Sequence, residues 1–139
     1  MSAHILAVDG DPERLAWLVE VLEGAGYGVT PAATFESARR FLKAEQFDAL
    51  VTNLRLQAYN GLHLAFFSQM SGPMPAVVLA DRADASSQHE ADELGARYVT
   101  LPITDDHLEV IIRTALRKRV ETNAPPVAVP RDCRPDGPG

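Results

Sequence analysis

Five short apolar runs set the frame of this chain: ILAV (5–8), YGVT (27–30), FDALVT (47–52), AVVLA (76–80) and RYVTL (97–101). Segments with helical spacing fill the gaps between them, so strand and helix alternate. Parallel strands need long crossovers, and crossovers are right-handed. The pattern therefore predicts an α/β domain with a doubly wound sheet. Periodicity alone does not give the strand order.

Local signals mark the helices. The first carries Leu15, Leu18, Val19 and Leu22 at i, i+3, i+4 and i+7, with Asp11 as N-cap, Pro12 at the first helical position, and Gly24 and Gly26 as its stop. Thr34 caps a second helix with Phe35, Ala38, Phe41 and Leu42 on its apolar side, and a third runs from about Leu62 through Ala65 and Phe66. Gly61 is read as ending the loop before that third helix, because Asn-Gly favours turns with positive φ. A fourth helix, near 87–94 with Gly95 beyond it, offers little more than Ala91 and Leu94 for burial and is expected to be the least firmly held. The fifth has the clearest stripe: Leu108, Ile111, Ile112, Ala115 and Leu116. Thr104 is its cap, Asp105 and Asp106 fall in its first turn, and Arg113, Arg117, Lys118 and Arg119 are read as a basic last turn that complements the macrodipole.

A chain of 139 residues holds one ordinary domain, here 1–120, followed by a Pro-rich segment, 121–139, expected to be a disordered tail or a linker. The formal net charge of -6 argues against direct nucleic-acid binding, which needs a basic face. Cys133 has no second cysteine to pair with, and His4, His63, His89 and His107 show no metal-ligand spacing; solvated or capping roles are expected for them. The first apolar run is too short for a secretory or membrane segment, so a cytoplasmic protein is expected.

In an open α/β sheet the working crevice lies outside the carboxyl ends of the strands. That rule directs attention to Asp9-Gly10-Asp11, Asn53, Ala80-Asp81 and Leu101-Pro102. The segments ILAVDGDP, VTNLRLQAYNG, AVVLAD and GARYVTLPIT resemble the blocks of the response-regulator receiver domain of two-component signalling, over about residues 3 to 118. The resemblance implies a (βα)5 flavodoxin-like three-layer sandwich with sheet order 2-1-3-4-5. It also implies a site that takes a phosphoryl group from a histidine kinase: two acids after the first strand that help hold Mg²⁺, an aspartate ending the third, a hydroxyl residue ending the fourth, and a lysine before the proline that follows the fifth.

Asp9 matches the first acid. The other four positions fall on Gly10, Asn53, Ala80 and Leu101. A carboxamide oxygen is a poor nucleophile, so no acyl phosphate is expected at Asn53. Losing two carboxylates removes hard anionic ligands, so Mg²⁺ binding is expected to be weak or absent, with Asp11 and Asp81 as weak alternative ligands beside Asp9. Leu101 offers no cation to phosphoryl oxygens and Ala80 no hydroxyl. Helix capping for Asp11 and solvation for Asp81 are the simpler roles. By the same resemblance Tyr98 is the switch aromatic of the fifth strand; with Ala80 leaving space, an inward ring is expected.

The reading is thus a degenerate receiver with no enzymatic activity and no cofactor, working as a phosphorylation-independent interaction module. Its partner, or a second copy, would dock on the face made by the fourth helix, fifth strand and fifth helix, where Glu90, Asp92 and Glu93 oppose Arg113 and Arg117. Two alternatives stay open: a regulatory fragment of a longer response regulator, and a receiver still phosphorylated through a neighbouring carboxylate. A flavodoxin-like flavin binder is disfavoured, since DGDPE would repel a phosphate.

Overall fold

In the computed structural model, residues 3–70 and 74–123 are described, with the side chains of 119–123 excepted. The elements run β1 (His4–Val8), α1 (Pro12–Gly24), β2 (Gly28–Ala32), α2 (Phe35–Ala44), β3 (Ala49–Asn53), β4 (Arg55–Leu56), β5 (Tyr59–Asn60), α3 (Gly61–Met70), β6 (Ala76–Ala80), α4 (Ala85–Glu93), β7 (Arg97–Thr100) and α5 (Asp105–Asn123). Five parallel strands form the sheet in the order β2-β1-β3-β6-β7. Among the five main strands this is the expected order 2-1-3-4-5. The reversal at β1 opens the crevice between the ends of β1 and β3.

The central strands β1, β3 and β6 are buried on both sides because both faces of the sheet are covered. Leu6, Val8, Leu50, Ala76 and Val78 face a cluster that includes Phe35, Ala38, Leu42, Leu62 and Ala91 of α2, α3 and α4. Ile5, Ala7, Val51, Val77 and Leu79 face Leu18, Leu22, Leu108, Ile111 and Ile112 of α1 and α5. Side chains that alternate along each strand thus make a three-layer sandwich with two cores.

The caps read from the sequence are in place. Asp11 accepts hydrogen bonds from the backbone N–H groups of Glu13 and Arg14, and Thr34 from that of Ser37. Thr104 Oγ1 accepts from His107 N at 3.0 Å. Gly26 and Gly95 take positive φ after α1 and α4, a conformation that side-chain-bearing residues rarely adopt. Of the fourth helix, Ala91 alone is fully buried, and Leu94 packs partly against the core.

Several details depart from expectation. Gly61 is not a positive-φ turn residue; it is buried at the start of α3, and a Cβ there would lie 2.2 Å from the Asn53 carbonyl oxygen. The glycine is required by a close approach of backbones. Positive φ falls instead on Gln57, in the two-residue turn between β4 and β5, an antiparallel ladder that the sequence reading lacks. Phe66 is exposed, while Leu64 and Ser68 of α3 turn inward. Trp17 and Val21, rather than Val19, join the α1 side of the core.

The last helix also runs longer than expected. It continues to Asn123, beyond the boundary placed at residue 120, and its last turn has no basic residue. Arg113, Arg117 and Lys118 therefore sit too far from the C-terminus for the macrodipole to explain them, because its effect fades within one turn. The segment from residue 124 onward, with Cys133, lies outside the described residues, as does the side chain of Arg119.

Candidate functional site

The crevice gathers the ends of β1, β3 and β6. Asp9 follows β1, is 1% exposed, and its backbone N–H donates to the Ala32 carbonyl at 3.1 Å. Its carboxylate is fully engaged. Oδ1 accepts from the backbone N–H of Asp11 at 2.9 Å and from Arg14 Nη2 at 3.3 Å, and Oδ2 accepts from Arg14 Nε at 2.5 Å.

Arg14 is the residue that sequence reasoning missed. Its Nη1 also lies 4.0 Å from Asp11 Oδ2 and 3.8 Å from Asp81 Oδ1, so one guanidinium faces carboxylates from β1, the α1 cap and the loop after β6. The hydrogen bond to Asp9 raises the guanidinium above its ordinary pKa, against the opposing effect of burial, and the charges of Asp9, Asp81 and Asp11 add to the rise. A signal for it existed. Arg14 is the third residue of α1, and a cation in a helix's first turn opposes the macrodipole unless an anion compensates it.

Asn53, 3% exposed, ends β3 at the position opposite Leu79. Its Oδ1 accepts from the Arg55 backbone N–H at 2.9 Å, which fixes the orientation of the amide. Asn53 Nδ2 is the one buried side-chain N or O among the described residues without a hydrogen-bond partner in the protein. Gly61 packs against this strand end and donates its backbone N–H to Leu54 O at 2.7 Å, while Asn60 Oδ1 accepts from Leu62 N at 2.7 Å and caps α3.

Ala80 closes β6 and is buried; its carbonyl accepts from Leu101 N at 2.7 Å. The Leu101 side chain packs against the α1 and α5 core, where an apolar chain finds apolar neighbours, and the Leu101–Pro102 peptide is cis. Gly10 is exposed. Tyr98 packs against the α2–α4 core, and its hydroxyl donates to the Arg82 carbonyl at 2.8 Å. Burial, and then the charge of Asp84, push that hydroxyl's pKa up. Asn53, Ala80, Asp81, Arg82 and Tyr98 line one open cleft of about 930 Å³, together with Tyr59 and His63 of the α3 side.

Magnesium, which the receiver resemblance implies, does not fit these donors. A hard dication needs several anionic oxygens to offset its dehydration. Here both Asp9 oxygens bind Arg14, Asp11 and Asp81 face the same guanidinium, and the neutral Asn53 oxygen is held by Arg55 N.

Three of the four histidines, His63, His89 and His107, are exposed as expected, and His4 is half-buried. The His4 ring hydrogen-bonds Thr30 Oγ1 at 2.6 Å and packs on Phe47, and His63 meets Phe35 edge-on. His89 lies 3.4 Å from Glu93, and the backbone N–H of His107, in the first turn of α5, donates to the Thr104 cap.

The surface proposed for docking flanks the edge strand β7, with α4 on one face of the sheet and α5 on the other. Glu90, Asp92, Glu93, Arg113 and Arg117 are all exposed there; Arg113 lies 3.7 Å from Glu109 of its own helix.

This layout of five parallel strands has known counterparts. The family profile described as "Response regulator receiver domain" matches residues 5–117. The chain belongs to that family. It is 31% identical over 136 residues to the transcriptional regulatory protein FixJ of Bradyrhizobium diazoefficiens, covering 94% of this chain and 64% of that protein. It is 30% identical to the transcriptional regulatory protein GlrR of Escherichia coli, over 84% of this chain and 27% of GlrR. The chain therefore spans less than two thirds of these relatives. Among solved structures, a CheY-like receiver domain protein from Methanospirillum hungatei superposes with a TM-score of 0.84 at 23% identity, over 88% of this chain and all of that one. That likeness speaks for the fold. The BeF₃-activated DrrB receiver domain gives 0.74 at 26% identity, over 84% and 99%. Among the described residues no helix is long and apolar enough to cross a membrane.

Proposed function

We propose that this receiver acts without covalent phosphorylation, as a cytoplasmic protein-interaction module of a two-component pathway. The observation that carries the reading is Asn53. A buried carboxamide, oriented by Arg55 N, stands at the end of β3 where the resemblance places the phosphoacceptor, and it has no carboxylate oxygen with which to attack phosphorus. Around it Ala80 supplies no hydroxyl, and Leu101 packs into the core instead of presenting a cation. Phosphorylation of Asp9, Asp11 or Asp81 instead is disfavoured, since each faces Arg14.

The signal then resides in surface shape and charge. The acidic α4 and basic α5 on either side of β7 suit a protein partner or a second copy related by a two-fold axis, and the net charge of -6 disfavours nucleic acid as a direct ligand. Control of an attached output domain is the second reading, favoured because FixJ and GlrR are longer transcriptional regulatory proteins. Incubation with acetyl phosphate and Mg²⁺ followed by intact mass measurement tests the central point. The expected result is an unmodified chain; a stoichiometric, hydroxylamine-labile adduct would refute it.

A further inference from the structure

We propose that Arg14 is the resident cation of the crevice: its guanidinium takes the charge-neutralising place of a divalent ion and ties the end of β1 to the loop between β6 and α4. This deepens the phosphorylation-independent reading and rests on it. Three carboxylates, Asp9 and Asp11 of the β1–α1 connection and Asp81 of the loop after β6, converge on one guanidinium within 4.0 Å. Without a cation between them, like charges at such a site repel, and the 1%-exposed Asp9 has no water to screen it. Arg14 holds Asp9 through both Nε and Nη2, the forked geometry that a guanidinium offers and an ammonium does not.

The placement is costly on helix grounds, because a cation in the first turn of α1 faces the positive end of the dipole. The Asp9 pair offsets that cost, which gives the arginine a reason to be there. Its reach also has a mechanical consequence. Asp81, 3.8 Å from Nη1, adjoins Arg82, whose carbonyl accepts the Tyr98 hydroxyl. The loop is thus held from the β1 side by Arg14 and from the β7 side by Tyr98. In this arrangement the crevice and the docking face are joined without any ligand.

The two halves of the proposal have separate tests. Mn²⁺ binding is measured by calorimetry on the full chain and on Arg14→Gln and Arg14→Lys. Freeing three carboxylates from a unit positive charge is expected to raise Mn²⁺ affinity about tenfold or more in Arg14→Gln, with Arg14→Lys close to wild type. Equal affinity in wild type and Arg14→Gln, weak or strong, would overturn the proposal. Should Arg14→Gln fail to fold on its own, thermal unfolding with and without Mn²⁺ gives the same comparison: Mn²⁺ should rescue folding of Arg14→Gln and leave the wild-type Tm unmoved, and no rescue would overturn the proposal.

Loop tethering is read from amide hydrogen exchange over residues 81–84 in Asp81→Asn. The Asp81 carboxylate is exposed, so an increase of about two- to fivefold is expected, with exchange near Asp9 unchanged. No increase removes the tether from the proposal. A phosphoryl adduct on wild type would instead sink the reading on which it rests, so the two failures are distinguishable.

Discussion

Alanine substitution at two glycines is expected to move stability in opposite directions, for reasons that lie in the site's geometry. At Gly61 an added Cβ would stand 2.2 Å from Asn53 O, 3.1 Å from Asn53 C and 3.1 Å from Thr52 Oγ1. The nearest atom is backbone in a central strand, so no side-chain rotation relieves the clash; β3 or the start of α3 must move by close to an ångström. Overpacking of this kind costs about 1–3 kcal/mol. Displacing Gly61 also strains the 2.7 Å hydrogen bond to Leu54 O, worth roughly 0.5–1.5 kcal/mol. Gly61→Ala should therefore lose about 3 kcal/mol, a large share of the roughly 5–15 kcal/mol that stabilises a domain. At Gly24, the last residue of α1, an added Cβ would have no atom within 4 Å, and φ is not positive, so Gly24→Ala should gain roughly 0.5–1 kcal/mol. Urea unfolding of both variants, with m values compared to wild type, reads the two effects in one assay. A loss below about 1 kcal/mol at Gly61 would refute the close-approach argument.

Three further outcomes follow from named groups. The hydroxyl and backbone N–H of Ser87 hold the Asp84 carboxyl below its usual range, so its contribution as the α4 cap is fully present above the unfolded value of 3.8 and is lost as pH falls through the lower folded value; amide exchange at Ser87 should accelerate there, and Asp84→Asn should flatten the dependence. Tyr98 has its pKa raised by burial, so its contribution is intact below the unfolded value of 10.0 and declines as pH rises past it toward the folded one; alkaline unfolding of Tyr98→Phe should lack that component. Docking between α4 and α5 of two copies predicts a dimer at low salt that dissociates as screening rises, and sedimentation showing a monomer at high concentration and low salt would exclude it.

Much of this protein could be read from single residues and their spacing. Asp11, Thr34 and Thr104 cap helices because their side chains reach N–H groups two or three residues on, and such contacts need nothing from the rest of the chain. The apolar runs became strands, and the identities at Gly10, Asn53, Ala80 and Leu101 are fixed by the sequence. The spacing of α3 does not choose its buried side, because the helix is apolar almost all round; only the packed chain exposes Phe66 and buries Leu64. The hairpin from Arg55 to Asn60 escaped notice because Gln57, not glycine, takes the positive φ; its Tyr59 stacks on Phe35 of α2, at 4.6 Å between ring centres, from a distant part of the sequence.

What sequence alone determined, then, was the alternation of elements, the caps of the first, second and fifth helices and the carboxamide at residue 53: properties of local backbone geometry and of covalent identity. Only the folded chain decided that Arg14 lies among Asp9, Asp11 and Asp81 and that Gly61 must leave room for Asn53. The contact with Asp81 joins segments far apart in the chain, at a distance that the parallel crossovers set, and the approach of Gly61 to Asn53 follows from how α3 packs on the end of β3.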